Sequence, residues 1–224
     1  ESGQGEGRIF LNPQSWAILA DIATPEQIES SLAAVREHLD TGYGCILHSP
    51  PFTGLVPRIG QMTAMTPGFY ENGSVYVHGN GFYALALAHA GRADEALRAM
   101  EAVLPTTPNK PNADTEPFVI PNYYIGPAGG ERAQRNLFLS GWRTGSAAWL
   151  WMTFWEGLLG FKPDYDSLSI TPKLPTEWES VEGSRLWRGQ KLSFMFNRSG
   201  DGPATINIPT SAHLPATINL THPP

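Results

Sequence analysis

The apolar positions of the chain follow two different periods. Over the first two thirds they recur every three or four residues, and over the last third they alternate with polar residues in short runs. Thr24-Pro25-Glu26-Gln27 has the spacing of a capping box with proline at the first helical position, and Ile28, Leu32, Val35 and Leu39 then make one stripe before Gly42. Ahead of it, Asn12-Pro13-Gln14-Ser15-Trp16 leads into a short apolar helix over Ala17–Ile22, with Pro13 suited to the first turn. Asn80–Ala90 reads as a nearly all-apolar inner helix closed by Gly91. Asp94–Leu104 is its amphipathic partner, with Ala96, Leu97, Met100 and Leu104 on one face and Arg92, Glu95, Arg98 and Glu101 largely on the other. Pairs made of one buried and one half-buried helix predict a double-layered helical array. Ser146–Leu159, apolar all round with Trp149, Trp151, Phe154 and Trp155, predicts a further helix in the interior.

Around Gly160-Phe161-Lys162-Pro163 the period changes. Leu168–Thr171, Arg185–Arg188, Lys191–Phe196 and Ala204–Ile208 read as strands separated by Pro, Gly, Asp and Asn. Four or five strands in roughly 60 residues need neighbours to complete a sandwich. Thr41–Gly73 is a Pro/Gly-rich connection. Thr106–Ser140 is irregular and exceeds the roughly 12–15 residues of an ordinary structureless loop, which marks it as functional.

At 224 residues and 41% hydrophobic, the chain can bury the core of one large or two small domains. Its net charge of −6, without any basic run, argues against nucleic acid or an anionic membrane surface as a partner, so an anion would have to be held locally. The single cysteine, Cys45, excludes an internal disulfide framework and a Cys-based zinc site, and reads as a small buried apolar residue. No metal-binding signature, phosphate-binding Walker loop or dinucleotide fingerprint occurs, so no metal or cofactor is expected. No apolar stretch reaches the roughly 20 residues that span a bilayer, and the first residues lack the features of a signal peptide; the expectation is a soluble, cytoplasmic protein. The Asn-x-Ser/Thr matches at Asn72, Asn197 and Asn219 read as unglycosylated.

Candidate chemistry concentrates where two polar segments run into apolar helices. Glu71-Asn72-Gly73-Ser74-Val75-Tyr76-Val77-His78 places a histidine one turn from a helix start, and Trp142-Arg143-Thr144-Gly145 opens the helix that follows it. A helix N-terminus presents unpaired N–H groups and the positive end of the macrodipole, which suits an anion such as phosphate. Gly73, Gly79 and Gly81 allow close backbone approach. For Thr144 an N-cap explains the residue without any ligand, and His78 could equally be a core or capping histidine; the residues alone leave both open. Glu71 and Glu116 are candidate catalytic carboxylates in Pro/Gly/aromatic surroundings, but no spacing fixes them as an acid and base pair. Tyr70, Tyr76, Tyr123, Tyr124 and Trp142 could stack on sugar faces or fill the core. His48, His89, His213 and His222 stand singly and read as structural or solvated.

Four segments, taken in order, resemble the C-terminal portion of glycoside hydrolase family 94, the cellobiose, chitobiose and related β-glucoside phosphorylases. They are Gly7–Ala17, Pro67–His78, Trp142–Trp149 and Leu168–Trp178. The resemblance implies an (α/α)6 barrel, of which residues 1–160 would be the C-terminal part, running into a jelly-roll-like β-sandwich over residues 161–224. It also implies inverting phosphorolysis of a β-linked disaccharide or oligosaccharide by inorganic phosphate. His78, Thr144 and Gly145 match the family's phosphate-binding positions, and Glu71 matches a position on the sugar side of the cleft. The family's general acid, an aspartate in an Asp-Trp-Asn-Asp motif, has no counterpart here, nor do its earlier phosphate-binding arginines. The expectation is therefore a piece of a longer enzyme, inactive by itself and compatible with a homodimer when complete. Pro121–Pro127 falls in the acceptor-side loop. The alternatives are a hydrolase on the same barrel using Glu71 or Glu116, and a non-catalytic carbohydrate-binding or structural domain of a larger glucan-processing protein.

Overall fold

The computed structural model of the chain describes residues 5–106, 119–136, 141, 145–212 and 217–222. Helices fill the first part: α1 (Leu11–Leu19), α2 (Pro25–His38), α3 (Val77–His89), α4 (Ala93–Val103) and α5 (Ser146–Met152), the last continuing as a π-helical stretch over Thr153–Leu158. Strands β1 (Ile9–Phe10) and β2 (His48–Ser49) pair antiparallel, as do β3 (Val75–Tyr76) and β4 (Tyr123–Tyr124). The final part contains β5 (Phe161–Pro163), β6 (Ser167–Ile170), β7 (Ser180–Trp187), β8 (Gln190–Asn197), β9 (Ile206–Pro209) and β10 (Ile218–Thr221). Among the described residues no helix is long and apolar enough to cross a membrane.

The capping box at Thr24 forms as its sequence predicts. Gln27 N–H donates to Thr24 Oγ1, and the Gln27 side chain accepts from Thr24 N–H at 2.8 Å, so two of the orphan donors of α2 are satisfied reciprocally. Helix α3 is the centre of the helical part and packs on α1, α4 and α5, while α2 lies behind α1. Ion pairs Arg36–Glu95 and Arg92–Glu29, each 3.0 Å, tie α2 to α4 on the outside. This is the two-layered array expected from the pattern, with Leu32, Val35, Ala84, Leu87, Ala96 and Val103 in one shared core. Helix α5 approaches α3 closely because residue 81 is glycine: a Cβ there would stand 2.7 Å from the Trp149 Cβ.

In the β part, two three-stranded sheets, β10-β8-β7 and β5-β6-β9, share one apolar core. Phe161, Leu168, Ile170 and Ile208 from one sheet meet Leu192, Phe194, Phe196, Ile218 and Leu220 from the other. The π-helical stretch adds Trp155 to the same cluster, so one helical segment contributes to both cores. At the join, Gly160 has φ +72°, and a Cβ on it would lie 1.8 Å from the Thr171 carbonyl oxygen; only glycine turns the chain there.

Several expectations need correction. Helix α1 spans Leu11–Leu19 and not Ala17–Ile22, and Ile22 is 75% exposed outside it, because an apolar run carries no stop signal of its own. Helix α3 starts at Val77, three residues before the expected Asn80. Asn80 lies inside the helix and reaches out of it, donating to the Cys45 and Tyr76 carbonyls and accepting from Cys45 N–H at 2.7 Å. The helix from Ser146 is not buried all round, since Trp151 is 59% exposed. Strand β7 begins at Ser180 and not Arg185; it is an edge strand whose Ser180–Ser184 half faces solvent and carries little apolar signal. Strands β5 and β10 are additional to the expected set. Part of the Thr106–Ser140 segment is regular, with β4 and a 3-10 helix over Pro127–Arg132.

Candidate functional site

The small β3–β4 ladder delivers the chain into α3. Val77 N–H donates to the Asn122 carbonyl at 2.9 Å immediately after the ladder, which sets His78 in the first turn of α3 rather than one turn from its start. Across from it, Gly145 is the N-cap residue of α5, with its carbonyl accepting from Trp149 N–H at 3.0 Å. The two expected halves of the anion site meet: a methyl group in place of the Gly145 hydrogen would stand 3.4 Å from His78 Nε2 and 3.5 Å from Trp149 Cδ1. The imidazole thus looks at the mouth of a second helix, with no side chain of the described residues between them. Trp142, Arg143 and Thr144 lie outside the described residues, as does Glu116.

Aromatic rings wall the recess. The His78 ring is 4.7 Å from Phe82 and 6.2 Å from Trp149, and Trp16, 44% exposed, stands 5.2 Å from Phe82 and 5.8 Å from Trp149. Burial in this wall lowers the His78 pKa, so the ring rests neutral near pH 7 and gains a proton most readily when a negative charge arrives. The i, i+4 spacing of His78 and Phe82 on a helix would have revealed their contact; the part played by Trp16 carries no such signal.

Glu71 sits half-buried on the turn before β3. Tyr70 in that turn has φ +49°, an uncommon conformation for a bulky residue, and its ring projects 5.3 Å from that of Tyr123. Gly68 N–H donates to the Asn72 carbonyl and Ser74 Oγ donates to the Tyr70 carbonyl, which hold the turn closed. The Tyr76 phenol is raised by burial, opposed by a hydrogen bond with Asn122, and raised further by the neighbouring Glu71 carboxylate. Glu71, Tyr70 and Tyr76 thereby form a polar and aromatic group joined to His78 through β3. Tyr124 is fully buried, with its hydroxyl donating to the Val103 carbonyl, and Tyr123 is 1% exposed; both belong to the framework rather than to a sugar platform.

Asn72, beside Glu71, is a structural residue. It accepts from Phe52 N–H and His48 Nε2 and donates to the Phe52 and Met65 carbonyls, with 0% exposure. An amide engaged in this way is unavailable for a glycan. His48 is the buried structural histidine expected, stacked on Phe10 with the Phe52 ring tilted against it. His89 pairs with Asp21 at 2.7 Å, and His222 accepts from Leu174 N–H; His213 lies outside the described residues. Cys45 is buried, as expected of a small apolar residue, and burial pushes its thiol well up. No group of three or more metal-ligating side chains occurs among the described residues.

Fold and site together define a helical protein whose recess brings a histidine to a helix mouth between aromatic walls. The chain belongs to the glycosyl hydrolase 94 superfamily, whose catalytic-domain model matches residues 2–160. It is 39% identical over 186 residues to the solabiose phosphorylase of Paenibacillus borealis, covering 82% of this chain and 24% of that protein. To the cellobionic acid phosphorylase of Neurospora crassa it is 35% identical over 209 residues, 90% of this chain and 26% of the relative. A third similarity, 33% over 217 residues, is to the cyclic beta-(1,2)-glucan synthase NdvB of Rhizobium meliloti, covering 93% of this chain and 8% of the synthase. The chain spans about a quarter of the length of the first two relatives.

Proposed function

We propose that the complete protein is an inverting glycoside phosphorylase, and that these residues supply part of its phosphate site and of the sugar site beside it. The observation that carries this reading is His78 Nε2 facing Gly145 at the N-terminus of α5, an arrangement suited to a phosphate oxygen. The phosphorylase relatives support the same reaction class. In the reaction a phosphate oxygen lone pair forms a bond to the anomeric carbon of a β-linked disaccharide or oligosaccharide while the bond to the glycosidic oxygen breaks. That oxygen takes its proton from a carboxylic acid, and the product is an α-sugar 1-phosphate. Phosphate arrives as an anion, so no second carboxylate is needed to activate it. The acid is assigned to a part of the complete protein other than these residues.

His78 donates from Nε2 to phosphate and takes up a proton as the dianion binds, which restores the charge that burial alone disfavours. Gly145 leaves the helix mouth open, and Thr144, assigned by motif alone, adds its hydroxyl. Glu71 binds a sugar hydroxyl on the turn that carries Tyr70. Phosphate is a substrate, and the scheme calls for no cofactor. Residues 1–160 are read as part of an (α/α)6 barrel and residues 161–224 as the end of a β-sandwich; the two-layered helices and the paired sheets support that reading.

The test is product formation by the complete protein with and without phosphate. The expected result is sugar 1-phosphate only when phosphate is present, and His78→Ala raises the KM for phosphate by about 10–100-fold, the loss of one charge-assisted hydrogen bond. Hydrolysis of the disaccharide in phosphate-free buffer would replace this reading with a hydrolase. The 224 residues alone are expected to release no sugar 1-phosphate. The similarity to a glucan synthase over 93% of the chain favours a second reading, in which these residues belong to a larger glucan-processing polypeptide. The length of the complete protein decides between the two.

A further inference from the structure

Helix α3 carries chemistry on two opposite faces. His78 and Phe82 look into the recess described above, whereas Asn80, Tyr83 and Leu87 lie on the other side of the helix, toward α2 and α4. There a cleft of about 500 Å³ opens between the ends of α2 and α4, within the size range of small-molecule sites. Tyr83 is part of its lining. The side chain is 5% exposed, yet its hydroxyl makes no hydrogen bond among the described residues. The hydroxyl is therefore available to donate to a group that enters the cleft.

We infer that this cleft is a binding site for a neutral, hydroxyl-rich ligand, a monosaccharide or disaccharide unit. Its rim alternates in charge: Arg36 pairs with Glu95 at 3.0 Å, and Asp40, Arg98 and Glu101 complete it. Arg98 and Glu101 form no ion pair among the described residues. Three carboxylates in so small a space disfavour an anion, and two guanidinium groups disfavour a cation. A sugar hydroxyl both donates and accepts, so a pair of them can bridge a guanidinium and a carboxylate without bringing in a net charge. Leu87 gives the cleft an apolar patch for the C–H face of a sugar ring. Burial raises the Tyr83 phenol, with Cys45 and Glu95 adding to the effect, so the hydroxyl remains a donor at every physiological pH.

The site is independent of the phosphate reading, since no residue is shared with the His78 recess. Calorimetric titration of the full-length protein with glucose and with cellobiose, in phosphate-free buffer, tests it. The expected result is one more sugar equivalent bound by the native protein than by Arg98→Ala. Tyr83→Phe, which removes a single oxygen and keeps the ring, weakens that event about tenfold, the scale of one hydrogen bond. Catalytic constants for phosphorolysis stay unchanged in both variants. Equal stoichiometry and affinity in the native protein and both variants would overturn the proposal, as would binding of inorganic phosphate that Arg98→Ala abolishes. Absence of phosphorolysis would leave the titration result unaffected, so the two proposals fail separately.

Discussion

The helical and β parts of the chain solve the same problem, fixing irregular backbone around a core, by different means. Around the helices, long connections are pinned by buried amides: Asn72 satisfies groups on Phe52, Met65 and His48, and Asn80 bridges Cys45 to Tyr76. In the β part the ladders satisfy the backbone, and packed aromatic rings set the geometry. Phe194 lies 4.8 Å from Phe196 and 5.2 Å from Phe161, and the Arg185 guanidinium lies 4.7 Å over Trp155. The first device gives direction as well as cohesion, because an amide tolerates little displacement of its partners. The site uses loops held this way: the Asn72 amide fixes the turn that carries Glu71 and the entry to α3.

The comparison breaks first at the largest side chains. Phe194→Ala is expected to cost about 4 kcal/mol through lost burial and a cavity, and Asn72→Ala about 3 kcal/mol through the buried groups it orphans. Hydrogen exchange distinguishes them: the first variant should open β5 to β10 ahead of the helices, and the second the segment from Phe52 to Tyr76. Simultaneous opening of all amides in both variants would mean one cooperative unit and dissolve the contrast.

A smaller effect is expected where the two parts join. Lys173, in the β part, donates from Nζ to the Ala88 and His89 carbonyls at 2.9 and 3.2 Å, closing the C-terminal end of α3. Lys173→Met should lower stability by about 1–2 kcal/mol, read by chemical denaturation. An unchanged midpoint would show that water serves those carbonyls equally well.

The smallest expected effect is a pH slope. Burial lowers the His48 pKa, against a hydrogen bond with Asn72, and burial also lowers those of His78 and His222. Each folded-state value lies below the unfolded one of about 6.5, so the unfolded chain binds more protons as the pH falls through that value. Stability is therefore expected to drop as pH decreases from about 6.5, with the slope ending below the folded-state values. His48→Phe should flatten it, measured as denaturation midpoints between pH 7 and about 5. A slope unchanged in that variant would remove His48 as a contributor.

What local chemistry dictates was recoverable from residue order. The capping box at Thr24, the amphipathic α4 and the change of period near Gly160 all depend on neighbours within one or two turns, and each appears where its residues predict. Four segments in order also carry the resemblance to the family to which the chain belongs. The start of α3 is not legible in residue order because the partners of Asn80 are Cys45 and Tyr76, and nothing local shows that an asparagine will bond out of a helix instead of capping it. Edge strand β7 was cut short because its solvent-facing half lacks alternation, and its extent depends on pairing with β8.

The same division holds for the recess. Residue types marked His78 and Gly145 separately as suited to an anion, one on each of two helix mouths. Their convergence came from long-range packing: the β3–β4 ladder sets the origin of α3, and Gly81 lets α5 come close enough for Gly145 to face the imidazole. Trp16 and Phe82 joined the wall for the same reason, as did Tyr83 the cleft on the far face of α3. Sequence periodicity specifies which face of a helix is apolar, but which helix covers it, and where a polar group on it is left facing space, follows from how the elements pack.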